Sequence, residues 1–380
     1  IALVDIWAKL LPVATKIGIT DDFFMLGGSS LLAIQLADMV NKKFGKIPYS
    51  ALFSQPTIRA QAALIQAPNK PCSKKLLMID YLKQQISLDE DIKPYDQKWH
   101  KYPTRPNAIF LTGITGFLGV FLLQELLHDT SAEIYCLIRA CDYHHAQQRF
   151  AETLKKYHMP VSICGNDRIK LIIGDVAKRR LGLSEKTYYQ LAEKIDIIYH
   201  IASAVNFVMP YSALKNTNVL GTKNMIRFAI TNKVKPLHYT SSASVFSFMH
   251  YFNEVSWLTE EEIYWNNNAY LQALSKDIGY TQSKAVAEEL MWQASRRGIP
   301  VTIYRLGFVL CHSKTGVGNM EQLWSRLIKD CLVLGSYPSL TNLKGEFVTV
   351  DYASQAISRL SRKADSTGQV FHLVPSPEQN

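Results

Sequence analysis

Tyr280 and Lys284 stand four residues apart in the run GYTQSKAVAEEL, a spacing that puts both side chains on one face of a helix. A phenol with an ordinary pKa of about 10 is a poor acid-base group at neutral pH, and a neighbouring ammonium favours its anion by charge proximity. Upstream, Ser241-Ser242-Ala243-Ser244 follows an apolar run and offers a hydroxyl, that of Ser242, to position a carbonyl oxygen. A Tyr-x-x-x-Lys pair alone marks only an amphipathic helix. In order after a glycine-rich loop and a serine, it is a specific arrangement for proton transfer at a carbonyl.

That loop is Thr112-Gly113-Ile114-Thr115-Gly116-Phe117-Leu118-Gly119, between an apolar strand and a helix. One glycine permits the tight turn, one lets backbone approach a pyrophosphate, and the last lets helix and strand pack closely, while the helix N-terminus faces the phosphate charge. The next strand ends in Arg139, where an NAD enzyme would place a carboxylate for the ribose 2′-hydroxyl. A cation there suits a 2′-phosphate, so NADP(H) is expected, with Arg149 as a second clamp and Asp142 as the nearby residue that argues for NAD. Gly174-Asp175-Val176 and Ile201-Ala202-Ser203 follow the third and fourth strands, where strand ends line a cofactor crevice. Asp175 is placed near the adenine, with a helix cap as its competing role.

These groups need a scaffold that brings strand ends together. From Ala108 apolar strands read at AIFLT, EIYCLI, IKLII, DIIYHI, PLHYT and VTIYRL, with helices at Phe117–Leu127, Ala146–Tyr157, Val219–Ala229 and Tyr280–Ser295 between them. Continuous β-rich apolar runs predict strands buried on both faces, hence an α/β fold with a Rossmann-like doubly wound parallel sheet. The first 67 residues read differently, as a small all-α four-helix domain: Ile1–Leu11, Ser30–Phe44, a short turn at Ala51–Phe53, and a helix capped by Thr57 through Ile65. Residues 68–102, punctuated by Pro68, Pro71 and Pro94, read as a linker with one helix from Lys75 to Gln85, and 103–380 as the nucleotide-binding domain.

In the helical domain, Asp21-Asp22-Phe23-Phe24-Met25-Leu26-Gly27-Gly28-Ser29-Ser30-Leu31 presents a serine after two glycines at the start of a helix. There its hydroxyl is accessible and a phosphodiester meets the positive dipole end. The run resembles the phosphopantetheine attachment motif of peptidyl carrier proteins, and the resemblance makes Ser30 the modified residue, carrying 4′-phosphopantetheine. Gly113–Gly119, Ser242, Tyr280 and Lys284 resemble the extended short-chain dehydrogenase/reductase family. Within it, GYTQSKAVAEELMWQASRRGIPVTIYRLG and YCLIRA resemble the thioester reductase domains that end non-ribosomal peptide synthetases and carboxylic acid reductases.

The resemblance, running from about Tyr102 to Pro375, implies that Tyr280 donates to the substrate oxygen, that Lys284 holds the nicotinamide ribose and tunes Tyr280, and that Ser242 positions the carbonyl. Relatives usually carry Thr at Ser242, Asn or a small residue at Ile201, and Trp at Ala285, differences that bear on substrate fit. It also implies a substrate-covering subdomain beyond Pro375 that this chain lacks. The chain begins inside an amphipathic helix and ends where an apolar strand meets loop residues, so it reads as a piece of a longer polypeptide.

The expected activity is NADPH-dependent reduction of a tethered acyl or aminoacyl thioester to an aldehyde or, with a second hydride, to an alcohol. Two alternatives are a dehydrogenase/epimerase acting on a free substrate, which would need no carrier arm, and a non-reducing release module, which would need no Ser/Tyr/Lys set. Expected partners are upstream adenylation- or condensation-type modules and a phosphopantetheinyl transferase, with the chain a monomer. The net charge of +10 is dispersed in short clusters, unlike a nucleic-acid stripe. Six scattered cysteines without a Cys-x-x-Cys pair read as reduced thiols in a cytoplasmic protein, and no metal site is expected. No apolar run reaches the ~18 residues a membrane span needs.

Overall fold

A computed structural model of the chain describes residues 2–11, 17–21, 23, 26, 30–45, 56–66, 74–94, 102–163, 165–247, 259–260, 265–339 and 345–375. In the N-terminal part, α1 (Ala2–Leu10), α2 (Ser30–Phe44) and α3 (Ile58–Gln66) pack together around Trp7, Phe23, Leu36, Ala37, Val40 and Ile58. Trp7 is fully buried, meets Phe23 edge-on at 5.0 Å, and donates its indole N–H to Gln61. The acidic-aromatic lead is thus partly core: Phe23 anchors the loop before α2. Thr57 caps α3 as expected, its hydroxyl accepting from the Ala60 N–H. The turn expected at Ala51–Phe53 lies outside the described residues.

The stretch read as a linker contains α4 (Lys74–Gln85), close to the helix expected. From α4 onward it is not a free spacer. Leu82, Leu88 and Ile92 are buried in the core of the following domain. Gln293 bonds the backbone on both sides of Ser87, and Arg297 donates to the carbonyls of Leu88, Asp89 and Ile92. The stretch from Leu82 to Ile92 is thus packed against the domain read as 103–380.

Beyond it, strand and helix alternate: β1 (Ala108–Thr112), α5 (Phe117–Asp129), β2 (Glu133–Ile138), α6 (Tyr143–Lys156), β3 (Ile169–Ile173), α7 (Glu185–Lys194) and β4 (Ile197–His200). Then come α8 (Tyr211–Lys215), which runs through a π turn at Asn216–Leu220 into α9 (Gly221–Ile230), then β5 (Leu237–Ser242), α10 (Asn268–Lys276), α11 (Gly279–Arg296) and β6 (Val301–Leu306). The chain closes with β7 (Phe308–Leu310), α12 (Leu323–Leu334), β8 (Phe347–Thr349), α13 (Val350–Leu360) and β9 (Val370–Leu373).

Seven strands form one sheet in the order 3-2-1-4-5-6-9, every neighbouring pair parallel, so the doubly wound sheet is as expected. Side chains of β1, β2 and β4 to β6 are buried on both faces, as a parallel sheet between two helix layers requires. One face packs on α5, α6 and α13, the other on α4, α7, α9, α10 and α11. Strands β7 and β8 pair separately, Phe308 opposite Phe347. No described helix is long and apolar enough to cross a membrane.

Candidate active site

The glycine loop joins β1 to α5 at the carboxyl edge of the sheet, beside the point where strand order reverses between β1 and β4. Gly113 has φ +86°, and a Cβ there would lie 2.8 Å from the Ala202 backbone nitrogen; one on Gly119 would lie 2.1 Å from the Gly113 carbonyl oxygen. The backbone is therefore folded tightly on itself, and Gly116 is the N-cap of α5, with no side chain capping the helix. That leaves the first-turn N–H groups for an anion, so the cradle fits a pyrophosphate.

Thr115 and Gly116 sit at the open side of the loop. Phe117 is buried against Phe121 and Tyr157, and Leu118 packs on the same core, so what these two residues offer the loop is backbone. Thr112 lies beneath, its hydroxyl accepting from the Ile201 and Ala202 N–H groups and meeting His200 at 3.0 Å. It holds the two strand ends at a fixed separation.

Arg139 is exposed at the end of β2. Asp142, the carboxylate that argued for NAD, is taken up as the N-cap of α6: it accepts from the His145 N–H at 2.7 Å, a bond that lowers its pKa. Arg149 turns back to donate to the Arg139 carbonyl, so it braces the loop that carries Arg139. The cation at this corner suits the 2′-phosphate of NADP(H). Asp175 accepts from the Ala177 N–H at 2.9 Å, an Asx turn and not a helix cap, and Val176 is buried against Gly221. Ser203 donates to Asn218, which also holds Ala204 and Ser283. Asn218 lies in the π turn, and sequence reasoning missed it. The visible signal was an Asn218-x-x-x-Thr222 pair at helical spacing.

Tyr280 and Ser242 do come together, while Lys284, one turn on in α11, is bonded elsewhere. Gly279 precedes Tyr280 because a Cβ there would meet the Tyr211 nitrogen at 2.4 Å, so α11 starts hard against α8. Tyr280 keeps 9% of its surface exposed. Burial pushes its pKa up to about 12, and the hydrogen bond from Ser242 pulls the other way. Ser242 accepts from the Ser244 hydroxyl at 2.9 Å, which orients its own proton away from Ser244 and towards the phenol. At neutral pH Tyr280 is a proton carrier, suited to donate.

Lys284 was expected to tune Tyr280 directly. Its ammonium instead donates to the Tyr239 hydroxyl at 2.7 Å and the Thr240 carbonyl at 2.6 Å, over the Tyr239 ring. Burial lowers its pKa to about 7, with the Glu288 charge resisting. Glu288, one turn on, forms a fully buried ion pair with Arg305 of β6 at 2.6 Å and accepts from Ser241. Tyr239, Glu288 and Arg305 were not among the residues singled out from sequence. The expected attachment residue, Ser30, is the first residue of α2, and its side chain and Gly27–Ser29 lie outside the described residues.

Comparison with known proteins shows the family. The phosphopantetheine attachment site family matches residues 2–65, and the male sterility protein family matches residues 111–357. A linear gramicidin synthase polypeptide of Brevibacillus parabrevis is 39% identical over 372 residues, 97% of this chain and 7% of that protein. Aldehyde reductase lnbA of Aspergillus flavus is 34% identical over 379 residues, 98% of this chain and 37% of that protein. The chain thus spans well under half the length of these relatives. Among solved structures, the terminal R domain of the myxalamid pathway superposes with a TM-score of 0.69 at 38% identity, over 78% of this chain and 73% of that one. A thiolation-reductase di-domain from an archaeal non-ribosomal peptide synthetase shares the fold, with a TM-score of 0.67 at 24% identity over 99% of this chain and 77% of that one. Since the family match runs from β1 through most of α13, the chain belongs to the male sterility protein family of NAD-binding reductases, joined here to a phosphopantetheine attachment domain.

Proposed function

We propose that this segment reductively releases an acyl or aminoacyl thioester, carried on phosphopantetheine at Ser30, as an aldehyde. The observation that carries the reading is Tyr280, hydrogen-bonded by Ser242 at the sheet edge beside the glycine cradle, in a chain that also holds a carrier domain. A soluble substrate needs no arm, whereas tethering raises the effective concentration of thioester at this edge.

Gly113, Thr115, Gly116 and the α5 N-terminus would hold the pyrophosphate of NADP(H), and Arg139 its 2′-phosphate. Bound there, the cofactor supplies the hydride. The protein's part is at the oxygen. Tyr280 donates to the thioester carbonyl oxygen, and Ser242 turns its one proton from the phenol to that oxygen as a second donor when the substrate binds, so charge growing there is met by donors already in place. Tyr280 then gives up its proton to the tetrahedral hemithioacetal oxyanion. That adduct collapses by breaking the C–S bond as its hydroxyl proton passes to the sulfur, leaving the aldehyde and the pantetheine thiol. Lys284, held against Tyr239 and Thr240 and not against the phenol, would act on the ribose side of the cofactor.

Upstream modules of the same polypeptide would load the arm after a phosphopantetheinyl transferase modifies Ser30. Two measurements test this. Incubation with such a transferase and coenzyme A should add one phosphopantetheine mass on Ser30; an unmodified serine removes the tether. A synthetic acyl-pantetheine thioester should consume NADPH in preference to NADH and yield aldehyde; no consumption removes the reductase. Arg139→Ala should narrow the NADPH preference about tenfold, the scale of one charge-assisted contact.

A further inference from the structure

From the catalytic phenol, aromatic rings continue outward in an unbroken series. Phe207, between β4 and α8, meets Tyr280 edge-on with ring centres 5.6 Å apart. Phe308, the first residue of β7, lies 6.5 Å from Phe207. It contacts Trp324 of α12 at 5.7 Å and Phe347 of β8 at 5.9 Å, and those two rings are 5.1 Å apart. Four separate segments therefore each bring one ring to the same side of Tyr280.

These rings are not sealed as a core would be. Phe207, Trp324 and Phe347 are only partly buried, and Phe308 is 40% exposed. Tyr280 also borders polar groups: Ser242, which hydrogen-bonds it, and Ser244, which donates to Ser242. Tyr280 thus stands on a border between hydroxyls and aromatic surface. A thioester carbonyl presented to Tyr280 and Ser242 has its acyl group next to the rings.

We infer that Phe207, Phe308, Trp324 and Phe347 form the acyl-binding wall, and that it selects thioesters whose acyl group carries an aromatic or bulky apolar side group. The inference rests on the proposal that a pantetheine-borne acyl group reacts at Tyr280. An aromatic guest gains edge-on or offset contacts as well as the burial of its own surface. A carboxylate at the same place would lose its hydration against rings that offer no countercharge.

The test compares phenylacetyl- and acetyl-pantetheine in two forms, as reducible thioesters and as non-reducible amides, using the full chain. Calorimetry with the amides should show the phenylacetyl form binding about tenfold tighter, the usual worth of added apolar contact in such a site. Phe308→Ala should bring that ratio close to one. Because Phe308 lies partly open, this change spares the fold, and Phe207→Leu provides a second, volume-sparing probe that should narrow the ratio by less. Equal binding of the two amides, or a ratio untouched in both variants, overturns the inference whatever the turnover. A binding preference lost in Phe308→Ala, with neither thioester consuming NADPH, supports the wall and overturns the reductase reading instead.

Discussion

Lys284 and Glu288 occupy successive turns of α11, both buried, and they differ in what faces them. Glu288 meets an opposite charge, the Arg305 guanidinium, and accepts from Ser241 as well. Lys284 is bonded to neutral groups, a phenol and a backbone carbonyl, with Glu288 acting only from a turn away. A buried charge with an ionised, hydrogen-bonded partner is a strut, costly to break. A buried charge among neutral dipoles stays close to giving up its proton, which is the property acid-base chemistry uses. The helix places the strut beneath the reactive pair, where it ties α11 to β6 and to the end of β5.

The largest effect separates the two ends. Tyr280→Phe removes the donor and leaves the strut, so thioester reduction should fall by about 10²-fold or more, the range for loss of a general acid. NADPH binding followed by fluorescence, and the urea midpoint, should stay near wild type. A fall of less than about tenfold would place the proton donor elsewhere. Next is Glu288→Ala, which strands Arg305 inside the protein and should cost about 3–5 kcal/mol in urea unfolding. The double change Glu288→Met with Arg305→Leu should recover much of that loss, because both charges then leave together. A single change costing under about 1 kcal/mol would show that the pair is not a strut.

The two ends were unequally legible in the sequence. The Tyr-x-x-x-Lys spacing, the glycine loop and the apolar strands lie within one local window each, and local windows carry the period that betrays helix or strand. The Glu288–Arg305 pair crosses from α11 to β6, so it exists only once the register between β5 and β6 sets Ser241 opposite Arg305. Tyr239 sits in a β-rich run where any tyrosine reads as packing. Helix α12 has no buried residue, and β7 and β8 have three residues each, too few for a pattern to show. Arg149 was visible as a cation near the cofactor corner, but that its guanidinium folds back on the Arg139 carbonyl depends on the turn between β2 and α6.

The uncompensated lysine should also appear in stability against pH. An unfolded lysine titrates near 10.4. Burial lowers Lys284 to about 7, so above pH 7 the unfolded chain holds a proton that the folded chain has released. Stability must then rise with pH, by at most about 1.4 kcal/mol per pH unit from this group, whereas below pH 7 both states are protonated and the cost of burying the charge is present in full. Lys235, wholly buried and also lowered to about 7 by burial, adds a slope of the same sign. Urea midpoints between pH 7 and 9, below the range where unfolded tyrosines ionise, should climb in the wild type, climb less in Lys284→Met, and flatten further when Lys235→Met is added. An unchanged slope in Lys284→Met would mean that this lysine is better compensated than its neutral partners allow.

The smallest expected effect probes those neutral partners. The Tyr239 hydroxyl accepts from Lys284 and is also hydrogen-bonded to Thr222, which lies 3.5 Å from His200 Nε2; His200 Nδ1 lies 3.0 Å from the Thr112 hydroxyl. Burial first, and the Lys284 charge second, lower His200 to about 3, so every group between the lysine and Thr112 is uncharged near neutral pH. Tyr239→Phe cuts this chain at its first link. One net hydrogen bond is worth about 0.5–1.5 kcal/mol, so kcat should fall about threefold to tenfold. With one acceptor gone, the lysine should shed its proton at still lower pH, moving the basic limb of the rate profile down. Because Thr112 also holds the Ile201 and Ala202 N–H groups, NADPH affinity should weaken alongside. A variant that loses kcat but binds NADPH as tightly as wild type would show that the chain ends at Lys284 and that the cofactor loop stands without it.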